Sequence, residues 1–141
     1  MPNVKKTYPS PKKAPDIFYD AELCPIRTVL GGLGRKWPSL ILCHLSFGKH
    51  RFSELRGAIP DISQRMLSQT LKELERDGLI SRNEQPGMPP RVEYELTQIG
   101  DSYIEPLQAM MSWGARHKDR IETLRKSHDE ITEIQKTRNI A

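Results

Sequence analysis

Within Arg51 to Thr97, two stretches of helical periodicity are separated by a proline and followed by two stretches of strict alternation. That order restricts the fold more than any other feature of the chain. Ser53 is placed to cap a short helix running to Ile59, with Leu55, Ala58 and Ile59 turned inward. Pro60 must end it, because the residue before a proline is pushed out of the helical region. Asp61-Ile62 supplies a tight turn. Ser63 then caps a longer helix ending near Asp77, and Ile62 with Leu67 can form a hydrophobic staple across its start. Met66, Leu67, Thr70, Leu71 and Leu74 make one stripe of that helix, while Gln64, Arg65, Ser68, Gln69 and Lys72 make the opposite face. Gly78 stops it. Leu79 to Gln85 and Arg91 to Leu96 read as strands. Their link, Pro86-Gly87-Met88-Pro89-Pro90, is too long for a two-residue hairpin turn. A proline-stopped helix, a turn, an amphipathic helix and a ribbon describe a helix-turn-helix with a wing.

The rest of the chain frames this unit. Residues 1–16 hold prolines at positions 2, 9, 11 and 15 and four lysines against one aspartate, the pattern of a basic extended or disordered arm. From Glu22 to Leu33, Leu23, Ile26, Val29, Leu30 and Leu33 recur at helical spacing, and Gly31, Gly32 and Gly34 are expected to end that helix. Trp37 to Phe47 reads as a second helix, apolar nearly all round and therefore central, with Gly48 just past its end. Thr97 caps a last helix whose face includes Ile99, Tyr103, Leu107, Met110, Gly114 and His117, continued by Ile121 and Leu124. Beyond about Arg125 the chain is charged and weakly patterned, as a fraying helix or a tail would be. The expected architecture is mainly α with a small β-wing. Residues 1–16 form an arm, 17–125 a winged helix-turn-helix domain and 126–141 a charged tail.

Bulk properties narrow the function classes. The 141 residues suit one domain with tails, and the net charge of +4 is compatible with nucleic acid as partner without demanding it. Arg51 to Thr97 holds seven Arg or Lys against eight Asp or Glu, so any DNA footprint must come from placement of cations, not from their number. Two cysteines far apart make no disulfide framework and fit a reducing compartment. No apolar run is long enough to span a bilayer. The basic N-terminus lacks the apolar core of a secretory signal. The cytoplasm is the expected location.

The face of Gln64, Arg65, Ser68, Gln69 and Lys72 carries the strongest functional signal. Arginine and lysine pair with guanine, glutamine with adenine, and serine with bases or phosphates. The start of a recognition helix, here Ser63 onward, is the part that reaches base edges. Gln64, Arg65, Ser68 and Gln69 are therefore expected to read bases. Arg51, Ser53, Lys72 and Arg91 are expected to position the phosphate backbone. Two plainer alternatives stand beside these. Arg91 can pair with a nearby glutamate, and Arg51 with Ser53 can be a surface charge and a cap. Cys24, before Pro25 at a helix start, is where a thiolate is favoured, which makes it either a sensor of oxidants and electrophiles or an inert structural residue. Cys43 is expected in the core. The four histidines form no ligand-spaced cluster, and no metal motif, phosphate loop or nucleophile elbow is present, so neither cofactor nor enzymatic activity is expected.

The segments CPIRTVLGGLGRKWPSLIL, RFSELRGAIPDISQRMLSQTLKELERDGLISR and PPRVEYELTQIG, with Trp113-Gly114 after them, resemble the HxlR-type bacterial winged-helix regulators. The resemblance covers Cys24 to Lys118. MarR-type regulators are a more distant match in shape. Gly34-Arg35 stands where a double glycine is more usual before Lys36-Trp37. The resemblance implies a homodimeric transcription factor that binds double-stranded DNA and dimerises through its first and last helices, here Glu22–Leu33 and Thr97–Arg125. It places the recognition helix at Ser63–Asp77 and the wing at Leu79–Leu96. Some members sense oxidants or reactive carbonyls through a cysteine near the first helix, and Cys24 falls on that position. The alternative function is a winged helix used for protein–protein contact without specific DNA readout.

Overall fold

The computed structural model describes Glu22 and residues 24–140; the basic arm of residues 1–16 lies outside the described residues. A π-helical turn, Ile26–Leu30, runs directly into a short α-helix, α1 (Gly31–Leu33). Gly31 and Gly32 thus continue the helix that they were expected to end, and the break comes at Gly34-Arg35. Arg35 takes an extended conformation at φ −75°, which any L-residue adopts, so the turn has no need of a second glycine.

Helix α2 (Lys36–Leu45) is the centre of the molecule, with Pro38, Ile41, Leu42 and Leu45 buried. Pro38 sits in the first turn, where its missing N–H is not required. Gly48, at φ +134°, lets the chain reverse after the helix. A two-residue strand β1 (His50–Arg51) follows, then α3 (Phe52–Ala58). The Arg51 N–H donates to Glu54 Oε1 at 3.1 Å, making Arg51 the cap residue. Ser53 lies inside the first turn, exposed, so the expected Ser53 cap is corrected: strand β1 delivers an extended residue two places earlier than the serine pattern suggested. Leu55 and Ile59 are buried and Ala58 is exposed, because the inner line runs from position 55 to its i+4 neighbour.

Helix α4 (Gln64–Arg76) buries Leu67, Thr70, Leu71 and Leu74. Met66 falls at the edge of that stripe and remains 38% exposed, not inward as expected. The buried Thr70 hydroxyl is satisfied by donating to the Met66 carbonyl at 2.7 Å. Gly78, at φ +76°, closes the helix. Strands β2 (Ile80–Gln85) and β3 (Arg91–Leu96) pair antiparallel from Ile80↔Leu96 to Gln85↔Arg91. Strand β1 adds to the other edge of β3, giving the order β1-β3-β2. The sequence reading held no third strand. Tyr94, at the middle of the sheet, is the buried residue of β3.

Helix α5 (Gln98–Ile140) is 43 residues long. Thr97 anchors it twice: its hydroxyl accepts from the Gly100 N–H and donates to the Gly78 carbonyl. Gly100 is buried against β2's entry; a Cβ there would stand 2.0 Å from the Leu79 carbonyl oxygen. The inward line is Gly100, Tyr103, Ile104 and Leu107. Ile99, expected on that line, is 63% exposed, one helical step off it. The helix runs through Pro106 and past Arg125 to Ile140. Among the described residues no helix is long and apolar enough to cross a membrane.

Candidate nucleic-acid interface

The chain positions α4 from both sides. Its start is fixed by Ser63, whose Oγ accepts from the Met66 N–H at 3.0 Å. Its apolar side is locked into a core with α2, α3 and β2, where Ile62 and Leu67 are both enclosed. What remains outward is the face anticipated from the pattern. Gln64, Arg65, Gln69 and Lys72 are exposed, and Ser68 is half-buried between them. Arg65, Ser68, Gln69, Lys72 and Glu73 line one shallow depression along the helix. Arg65 and Lys72 form no ion pair among the described residues. Gln69 donates to Glu73 Oε1 at 3.2 Å, and Gln64 accepts a long 3.5 Å contact from Arg56. Two unpaired cations among polar side chains on a rigid, capped helix can meet a surface of acceptors, which is what base edges and phosphates present.

The turn before α4 is held by charge. Lys36 Nζ lies 3.1 Å from Asp61 Oδ2, and that hydrogen bond is the main reason the Asp61 carboxyl titrates below its ordinary range. The same ammonium sits over the Trp37 ring, 4.2 Å from its centroid.

Arg51 and Ser53 are exposed at the start of α3, and Arg91 is exposed on the wing. Arg91 is not idle: its Nε is 2.8 Å from Glu93 Oε1, a carboxylate that is only 14% exposed. Sequence reasoning did not single out Arg82 on β2. It lies opposite Tyr94, which with Glu84 favours the protonated guanidinium and raises its pKa above the ordinary value. Its signal was cross-strand pairing, invisible until the register is known. Asn83 and Lys49 both reach Glu95, at 2.7 and 3.8 Å.

The two cysteines differ in burial, with Cys24 the enclosed one and Cys43, expected in the core, only half-buried. Cys24 is 4% exposed, and its carbonyl accepts from the Arg27 and Thr28 N–H groups and from the Thr28 hydroxyl. Cys43 packs against the core without being enclosed by it. Its Sγ lies 3.2 Å from Met111 Sδ on α5, because this side of α2 faces a stretch of α5 that is itself open to solvent. Partial burial pushes the Cys43 thiol up. Among the described residues no group of three or more His, Cys, Asp or Glu could hold a metal ion.

A central buried helix, a capped recognition helix and a three-stranded wing define a winged helix-turn-helix protein of the transcription-regulator class. The chain belongs to the HxlR-like helix-turn-helix family, whose model matches residues 32–122. It is 46% identical over 115 residues to the HTH-type transcriptional regulator YdeP of Bacillus subtilis, covering 79% of this chain and 90% of YdeP. Among solved structures, the redox regulator HypR in its reduced form is 38% identical, with a TM-score of 0.66 over 70% of this chain and 98% of HypR. The diamide-treated YodB of B. subtilis is 37% identical, with a TM-score of 0.57 over 63% of this chain and 88% of YodB. The chain is therefore a transcriptional regulator of the HxlR winged-helix type.

Proposed function

We propose that this regulator binds an inverted-repeat operator as a homodimer in the cytoplasm, with Gln64, Arg65, Ser68 and Gln69 reading bases. Arg51, Ser53, Lys72 and Arg91 hold phosphates, and the lysines of residues 1–16 add contacts outside the domain. One observation carries the reading: Arg65 and Lys72 stand unpaired on the polar face of a helix whose other face is fixed in the core. The dimer reading rests on the exposed Ile26, Val29 and Leu30 beside α1 and Met110, Met111 and Trp113 on α5. Apolar side chains in such numbers on one protomer favour a second copy. Gel-shift titration against a selected operator and against random DNA, each at two salt concentrations, tests the reading. Phosphate contacts make both affinities fall with salt, and base readout keeps the operator preferred. If affinity is independent of both sequence and salt, the wing and α4 serve protein contact instead, a reading that the near-neutral balance of Arg51 to Thr97 favours.

An oxidant or electrophile acts through Cys24 in this reading, supported by the likeness to HypR and to diamide-treated YodB. Oxidation joins the Cys24 thiol to a second thiol, with two electrons and two protons passing to the oxidant. Modification beside the first helix then shifts one protomer against the other and changes half-site spacing. The raised thiol of Cys43 makes it the poorer nucleophile at neutral pH. DNA affinity of wild type and Cys24→Ser, before and after diamide, tests this part. Loss of response only in the variant supports it, and an equal response in both assigns the effect elsewhere.

A further inference from the structure

The family match ends at residue 122, yet α5 continues for eighteen more residues, to Ile140. Leu124, Ile131 and Ile134 in this extension are each more than half exposed. From Leu107 to Gln135 a seam repeats at alternating intervals of three and four, passing through Gly114, His117, Ile121, Leu124, His128 and Ile131. None of its nine positions is Asp, Glu, Lys or Arg, although ten of the 29 residues in that span are. A seven-residue repeat held over four heptads drifts against a straight helix and is kept in contact only by a partner that supercoils with it. Among the described residues the protomer's own domain encloses α5 through Gly100, Tyr103, Ile104 and Leu107, leaves Gly114, His117 and Ile121 half-buried, and leaves Leu124, His128 and Ile131 exposed.

We propose that the seam from Ile121 to Gln135 zips against the same seam of a second copy, as a two-stranded parallel coiled coil extending the dimer beyond the family's domain. The inference rests on the dimer reading above. A second copy is the occupant because it brings the same repeat in the same register. The seam is also continuous with the exposed Met110, on the face that the dimer reading joins. Two helices held together there leave the domains side by side. Ser127, Thr132 and Ile134 widen the apolar contact. Lys118, Arg120 and Arg125 border it, where their stems can cover the seam while their charges remain in water. His128, between the Leu124 and Ile131 layers, and Gln135 at the end are the polar positions of this seam, and polar residues so placed fix register.

The test is sedimentation equilibrium on the full chain, for wild type, Met110→Glu, and the double variant Leu124→Glu with Ile131→Glu. All three side chains are exposed in the protomer, so folding should survive, which circular dichroism checks. The double variant should raise the dimer dissociation constant at least about 100-fold. An unchanged constant overturns the coiled coil, and Met110→Glu then shows whether the dimer reading itself stands. Wild type that is monomeric at every concentration overturns both. Ile131→Cys in a Cys24→Ser, Cys43→Ser background should crosslink to its own counterpart under mild oxidation. A dimer that does not crosslink there overturns the parallel register.

Discussion

Helix α4, with 13 residues, encloses Leu67, Thr70, Leu71 and Leu74 within its own protomer and shows solvent an almost wholly polar face. Helix α5, with 43 residues, encloses only Gly100 and Leu107 and shows solvent Met110, Met111, Trp113, Leu124 and Ile131. The two helices therefore offer opposite surfaces. A polar face on an anchored helix has unsatisfied donors and suits a partner rich in acceptors. An apolar face without cover suits another apolar face. Under the proposed function, one protomer thus separates the surface that meets nucleic acid from the surface that meets a second copy.

The sharpest way to break this contrast is to truncate one apolar side chain from each helix. Leu71→Ala removes a side chain at 1% exposure and should cost about 2–5 kcal/mol of unfolding free energy, through lost transfer and a cavity. Met110→Ala, at 52% exposure, should lie within about 0.5 kcal/mol when unfolding is followed at protein concentrations low enough to hold the chain monomeric. Equal costs in denaturant titration would mean that α5 is as deeply packed as α4. A smaller loss is expected where the two regions meet. Gly100→Ala drives a Cβ into the Leu79 carbonyl, so the backbone of α5 must shift, costing about 1–3 kcal/mol. No cost would show that the α5 entry is loosely held.

What the sequence made legible follows the range of the forces involved. Pro60, Ser63 and Gly78 act on their immediate neighbours, and each falls where its local chemistry put it. The polar face of Gln64, Arg65, Ser68, Gln69 and Lys72 is equally local, since helical periodicity alone divides it from the core. Strand β1 was not legible, because two residues carry no alternation and His50–Arg51 is a strand only by virtue of its pairing with Tyr94 and Glu93. The misplaced Ser53 cap follows from the missing strand. Arg91's hold on Glu93 and Arg82's place opposite Tyr94 depend on a register set by the whole sheet. The helical continuation past Arg125 was obscured because no core face marks it. The turn of α5 just before it carries the i,i+4 pair Lys118–Glu122, which supports a helix without betraying a partner.

Base readout gives a sharper test of the α4 surface. Arg65→Ala should weaken binding to the selected operator by about 1–3 kcal/mol while changing random-DNA affinity little. Arg91→Ala should weaken both alike and reduce the salt slope, since a wing cation meets phosphate. Arg91 must leave Glu93 to do so, and breaking that 2.8 Å pair offsets part of its contribution. Its effect should therefore be the smaller of the two in titrations at fixed salt. Unchanged discrimination in Arg65→Ala would move base reading off this face.

The smallest effect separates two serines that look alike in sequence. Ser63 accepts the Met66 N–H at 3.0 Å at the start of α4, and Ser53 sits exposed one residue inside α3. A lost N-cap costs about 1 kcal/mol. Ser63→Ala should therefore lower stability by roughly that amount, and Ser53→Ala should lower it by no more than a few tenths. The Ser63 change also frees the first turn of α4, which carries Gln64 and Arg65, so operator binding should weaken along with stability. Denaturant midpoints and operator affinities of the two variants check this together. Equal stability losses would restore Ser53 as a cap and put the strand β1 boundary in the wrong place. A stability loss in Ser63→Ala without any loss of operator affinity would instead detach the start of α4 from DNA and leave recognition to its later turns.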